Sequence, residues 1–234
     1  MVLTKKDILI NIKEKKLIFK PELDGFQLQP HAVDLRLGYE FHIPRTWEIN
    51  KEGRKVINID PLKTDNTSQY EEIKLKPGQY FEIMPREYVI ATTLEEIELS
   101  SENLMAILFP RSSVNRRGLA VDLSGLIDVG YKGHLMIPLM NNTQQQIIKI
   151  YPGERICSLI FEELSSSVTK EESRHHGLDL PKYDNGKGFV GNIIDKNEEI
   201  SLISSGKLSE LKEKFKIKIL NIRLIILLNK IEMI

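Results

Sequence analysis

The chain of 234 residues carries 33 basic and 33 acidic side chains, a formal net charge of +0 at pH 7. That balance leaves no global field to attract nucleic acid or an anionic membrane surface, so an anionic ligand must be held by a local cluster. The single cysteine, Cys157, rules out an intramolecular disulfide framework and fits a reducing, cytoplasmic setting.

No signal peptide is expected, because Lys5 and Asp7 interrupt any apolar start. Residues 4–17 predict a helix. Thr4-x-x-Asp7 is a capping-box variant, and Ile8, Ile12 and Leu17 mark one apolar side. Residues 27–38 read as extended. From there to about residue 164, short apolar runs alternate with turn signals, among them Pro44, Gly53, Pro77-Gly78, Gly118, Gly125, Gly133 and Pro152-Gly153. The runs at 80–84, 88–92, 104–109, 134–139 and 147–151 predict strands, and strands at this spacing predict a sandwich, barrel or jelly roll. Residues 56–72 are polar and read as a loop or hairpin insertion. Cys157 lies in the apolar run 156–160, where a buried, inert thiol is expected.

After residue 164 the composition turns polar, as in a linker or an arm that orders on binding. Residues 183–191 are Gly-rich around Phe189. Residues 208–234 read as a helix on their length and their mixture of Glu210, Lys212, Glu213 and Lys214, against the pull of many β-branched residues. The apolar run at 224–228 is far too short to span a bilayer.

Two segments carry chemistry. Pro110-Arg111-Ser112-Ser113-Val114-Asn115-Arg116-Arg117-Gly118 sets cations beside hydroxyls at a strand end. Arginine presents a fork of donors that matches phosphate oxygens, and hydroxyls add directional bonds. Gly125-Leu126-Ile127-Asp128-Val129-Gly130-Tyr131-Lys132-Gly133 places one carboxylate and one aromatic ring three residues apart in a Gly-flanked turn. Asp128 either caps its own turn or orients a water against phosphorus. Tyr131 either belongs to the core or packs a flat face on a sugar ring, where a 2′-hydroxyl would not fit. His31, His42, His134, His175 and His176 lack metal-ligand spacing. No His-x-Glu accompanies a Cys-x-x-Cys, which excludes the zinc type of nucleobase deaminase, and no Gly-Lys-Ser/Thr phosphate loop is present.

These segments resemble the active site of the trimeric dUTPase and dCTP deaminase superfamily. Leu28-Gln29-Pro30, Val33-Asp34-Leu35-Arg36-Leu37-Gly38, Ala91-Thr92-Thr93-Leu94-Glu95, Arg111-Ser112-Ser113 and Tyr151-Pro152-Gly153 are similar to the deaminase branch. Gly125-Leu126-Ile127-Asp128 and Gly186-Lys187-Gly188-Phe189 resemble the triphosphatase branch. The resemblance implies a mainly β, distorted jelly-roll-like barrel spanning residues 1–164 and an arm over 165–206 that closes the site, while the helical extension read over 207–234 matches nothing in the family. It also implies a homotrimer with sites between subunits, and Mg2+ held by the substrate's phosphates.

The deaminase branch carries a glutamate on the strand after the Asp128 turn, where this chain has Pro138. Its absence sets the leading expectation as a dUTP diphosphatase. Asp128 would orient the water, Arg111, Ser112, Ser113 and Arg116 would hold the triphosphate, and Tyr131 would select deoxyribose. Phe189 would cover the base and Lys187 would reach the γ-phosphate. The alternatives are a dCTP deaminase, alone or combined with the triphosphatase reaction, and a catalytically silent nucleotide-binding homologue.

Overall fold

The computed structural model describes residues 1–57, 70–122, 125–169 and 197–216. The chain divides into two compact units, Met1–Asn58 with Asn66–Phe189, and Ile59–Asp65 with Val190–Ile234.

The first unit begins with helix α1 (Lys5–Lys13). The Thr4 main-chain N–H and hydroxyl both donate to the Asp7 carboxylate, at 3.0 and 2.6 Å, and hold its pKa below the ordinary value. Ile8 faces inward and is buried. The strands follow as β1 (Leu17–Lys20), β2 (Val33–Pro44), β3 (Trp47–Asn50), β4 (Gly53–Val56), β5 (Tyr70–Lys74), β6 (Phe81–Ile83) and β7 (Tyr88–Leu99). Then come β8 (Leu104–Pro110), the short helix α2 (Ser112–Asn115), β9 (Leu119–Val121), β10 (Gly125–Ile127), β11 (Lys132–Asn141), β12 (Ile148–Ile150) and β13 (Arg155–Glu163).

Nine of these strands make one antiparallel sheet in the order β10–β8–β13–β2–β7–β11–β9, with β1 added on β7 and β5 on β2. The sheet curls because its two longest strands change partners along their length. The start of β2 pairs with β13, and the remainder runs between β7 and β5. Gly38 sits at that change. A Cβ there would lie 2.9 Å from the Thr92 carbonyl, the Thr92 hydroxyl and the Thr93 carbonyl, so only glycine allows so close an approach.

Inward positions alternate along the strands, as in Leu104, Ala106 and Leu108 of β8, Leu135, Ile137 and Leu139 of β11, and Cys157, Leu159 and Phe161 of β13. Phe41 stacks on Phe81 at 4.6 Å, and Phe19 meets Phe161 edge-on at 6.3 Å. The Cys157 thiol is fully buried, and burial pushes its pKa up, so it packs as an inert apolar group.

The architecture is the mainly β, distorted jelly-roll-like barrel expected from the sequence. Three elements differ. Leu17, read as the end of the first helix, opens β1 instead, because Lys15 adopts a positive φ of 58° and turns the chain out of the helix. The β3–β4 hairpin was not anticipated. The polar insertion read at 56–72 overlaps the start of β5, and residues 58–69 lie outside the described residues.

In the second unit, α3 (Asn197–Ser204) and α4 (Leu208–Lys214) form a helix pair. Gly206, at φ 72°, closes α3: its N–H donates to Ile203 O at 3.0 Å and the Lys207 N–H to Leu202 O at 2.8 Å. The helix expected over 208–234 is observed through Lys214, and residues 217–234 lie outside the described residues.

Candidate active site

Strand β8 ends at Pro110 and delivers Arg111 to the surface. The guanidinium of Arg111 does not point outward alone. Its Nε lies 3.2 Å from Oδ2 of Asp34 on β2, and one of its terminal nitrogens donates to Arg155 O at 3.1 Å. Asp34 is buried. It also receives Arg155 at 3.1 Å and the Ser158 hydroxyl at 2.6 Å, so one carboxylate ties β2, β13 and the Arg111 loop together.

From Arg111 the chain makes the single turn of α2. Val114 is buried there, while Ser112, Ser113 and Arg116 are exposed. Arg117 pairs with Glu154. The cluster thus divides into Arg111 and Arg117, held by carboxylates, and Ser112, Ser113 and Arg116, which face solvent. Gly118 leaves the turn at φ 86°, and a Cβ there would come within 2.6 Å of Thr143 Cγ2.

Asp128 and Tyr131 occupy the turn between β10 and β11. The Tyr131 N–H donates to Asp128 O at 3.2 Å, and the turn is fastened to the end of β7 by bonds between Gly130 N–H and Leu99 O and between Leu99 N–H and Tyr131 O. The Tyr131 ring packs against the core, and its hydroxyl donates to His134 O at 2.9 Å, which fixes the ring's orientation.

Within one chain the two segments stand apart. β10 runs antiparallel to β8, with Gly125 opposite Leu108 and Ile127 opposite Ala106, so Asp128 emerges near the start of β8 and Arg111 at its end. From Ala106 to Arg111 the strand rises about 17 Å at ~3.4 Å per residue. One chain therefore does not bring Asp128 onto Arg111, Ser112, Ser113 and Arg116.

Pro138 lies inside β11, opposite Ile90 of β7. On its other side β9 pairs with β11 at Leu119–Asn141, Ala120–Met140 and Val121–Leu139. One step on, the Asp122 N–H donates to Pro138 O at 3.1 Å. Proline has no N–H to return that bond, so the ladder stops here. Beyond this point the strands part, β10 going to β8 while β11 stays with β7. Opposed residues in an antiparallel pair present their side chains on one face, with Cβ atoms about 5 Å apart. Asp122 thus shares the face of position 138. It is exposed, and among the described residues its carboxylate takes part in no hydrogen bond or ion pair.

Sequence reasoning missed Asp34. A charged residue within Val33-Asp34-Leu35 was the signal for Asp34. Lys187, Phe189 and the greater part of the arm read at 165–206 lie outside the described residues. Among the described residues no group of three or more His, Cys, Asp or Glu is placed to hold a metal ion, and no helix is long and apolar enough to cross a membrane.

Residues 2–164 match the dCTP deaminase-like family model. The chain is 35% identical over 190 residues to the dUMP-forming dCTP deaminase of Dictyoglomus turgidum, covering 80% of this chain and 92% of that one. It is 32% identical over 212 residues to the dUMP-forming dCTP deaminase of Methanosphaera stadtmanae, covering 88% and 99%. Among solved structures, the dCTP deaminase of Agrobacterium tumefaciens superposes with a TM-score of 0.53 at 20% identity, over 73% of this chain and half of that one. These relatives correct the leading expectation of a plain dUTP diphosphatase, since those named here are dCTP deaminases. That expectation rested on Pro138 and on the triphosphatase-like Gly125-Leu126-Ile127-Asp128.

Proposed function

From the chain's membership of the dCTP deaminase-like family, we propose that it is a dUMP-forming dCTP deaminase, converting dCTP and two waters to dUMP, ammonia and pyrophosphate. The observation that carries this reading is 35% identity across 92% of a relative of that name. The site's chemistry supports it. Ser112, Ser113 and Arg116 are exposed donors suited to a triphosphate, and Arg111 shapes their loop from its bond to Asp34. Asp128 orients a water for in-line attack on the α-phosphorus, and the donors offset the charge that develops on the phosphates. The fixed ring of Tyr131 selects deoxyribose. Lys187 and Phe189 belong to the arm that meets the γ-phosphate and the base. Magnesium belongs to the substrate, carried on its phosphates, and the setting is the cytoplasm.

The separation of Asp128 from the Arg111 loop supports a homotrimer in which each site takes its turn from one subunit and its phosphate loop from another. Incubation of the purified chain with dCTP and magnesium tests the reading. Ammonia, pyrophosphate and dUMP in equal amounts are expected, and absence of ammonia would sink it.

A further inference from the structure

Resting on the deaminase reading above, we propose that Asp122 is the catalytic carboxylate of the deamination step. Hydrolytic deamination of cytosine needs a group that takes a proton from water and returns protons to the ring and to the departing nitrogen. The Asp122 carboxylate accepts a proton as the water oxygen bonds to C4. The C4–N3 π pair moves to N3, which takes that proton from Asp122. The new C4 hydroxyl then passes its proton through Asp122 to the amino group. The C4–N bond breaks with both electrons leaving on ammonia, C4=O forms, and the carboxylate is regenerated with no change in oxidation level.

The placement rests on three observations. Asp122 is cross-strand from Pro138, so its carboxylate works on the face where the resemblance puts an acid one strand away. It stands where β9 and β11 part, close enough to the exposed Tyr88 for its charge to act on that phenol. Burial first, then Tyr70, then the Asp122 charge push that phenol's pKa up. The carboxylates that compete for the role are engaged elsewhere. Asp34 holds Arg111 and Arg155. Glu95 is buried against Gln27 and the Arg36 N–H. Glu154 holds Arg117, and Glu98 holds Lys132. Asp128 is committed to the phosphate step.

The test uses the full chain with magnesium, giving dCTP and dUTP in separate reactions and reading ammonia from the first and pyrophosphate from the second. Asp122→Asn is expected to lower ammonia release by about 100-fold or more while pyrophosphate release changes by less than about threefold. Asp122→Glu, which keeps a carboxylate, is expected to retain more ammonia release than Asp122→Asn. Wild-type ammonia release from Asp122→Asn would overturn the proposal and leave the deaminase reading standing. Loss of both products together would assign Asp122 to the fold and also overturn it. A wild-type chain that yields pyrophosphate from dUTP and no ammonia from dCTP would overturn the deaminase reading, and the proposal with it.

Discussion

Asp34 shows how a buried charge serves a site without touching it. Its carboxylate is nearly sealed from water and answers two arginines and one hydroxyl. Removing it leaves Arg111 and Arg155, both largely covered, without a counter-charge. Asp34→Ala is therefore expected to cost about 3 kcal/mol, read as a lower urea midpoint. Glu95 is the opposite case. It is 1% exposed, and burial pushes its pKa above the ordinary 4.5, against the bonds from the Arg36 N–H and Gln27. The folded chain holds that proton more tightly than the unfolded one. Its contribution to stability is thus present below pH 4.5 and is lost as pH rises through the raised folded-state value. The stability of wild type relative to Glu95→Gln is expected to fall as pH is raised from 4.5. A flat difference in denaturation midpoints across that range would show that Glu95 does not titrate as described.

At the scale of elements, the strands were legible where alternation was clean, as in β8 and β11, whose inward residues are every second one. Leu17 was misread because its apolar side chain continues the stripe begun by Ile8 and Ile12 of α1. Pro138 lies inside the strand expected over 134–139, although proline has no N–H to give to a ladder. Its missing N–H faces the side where β9 ends, so β11 keeps its pairing to β7 and accommodates the ring. The contacts of Asp34 were illegible because Arg111 and Arg155 reach it from distant strands that only the fold brings alongside. Gly38 was quoted as part of a motif, and its physical reason is the crossing of β2 over Thr92 and Thr93. Gly38→Ala forces a methyl into that crossing. The expected cost is about 2 kcal/mol, visible as a lowered thermal midpoint. An unchanged midpoint would mean that β2 shifts freely there.

For the whole molecule, the register of the sheet holds the two chemically distinctive segments apart. The Arg111 loop hangs from the end of β8 and the Asp128 turn rises near its start, so the strand between them also keeps them apart. The sequence made both halves visible, since each is a compact run of chemically distinctive residues. The distance between them depends on the antiparallel register of β10 on β8, which no single run encodes.

In the proposed trimer, that distance makes catalytic competence a property of neighbours, and so of mixtures. A population of Asp128→Asn chains and a population of Arg116→Ala chains should each be nearly inactive. When the two are dissociated together and reassembled at equal ratio, an Arg116→Ala chain with its intact aspartate can face an Asp128→Asn chain with its intact arginine. About one quarter of the sites in random trimers then regain both groups, and activity should return to about that share of the wild-type rate. If mixing restored nothing, each chain would have to complete its own site. The defect of any single allele in such a trimer is therefore shared between subunits, and two lesions on different chains can be milder together than either is alone.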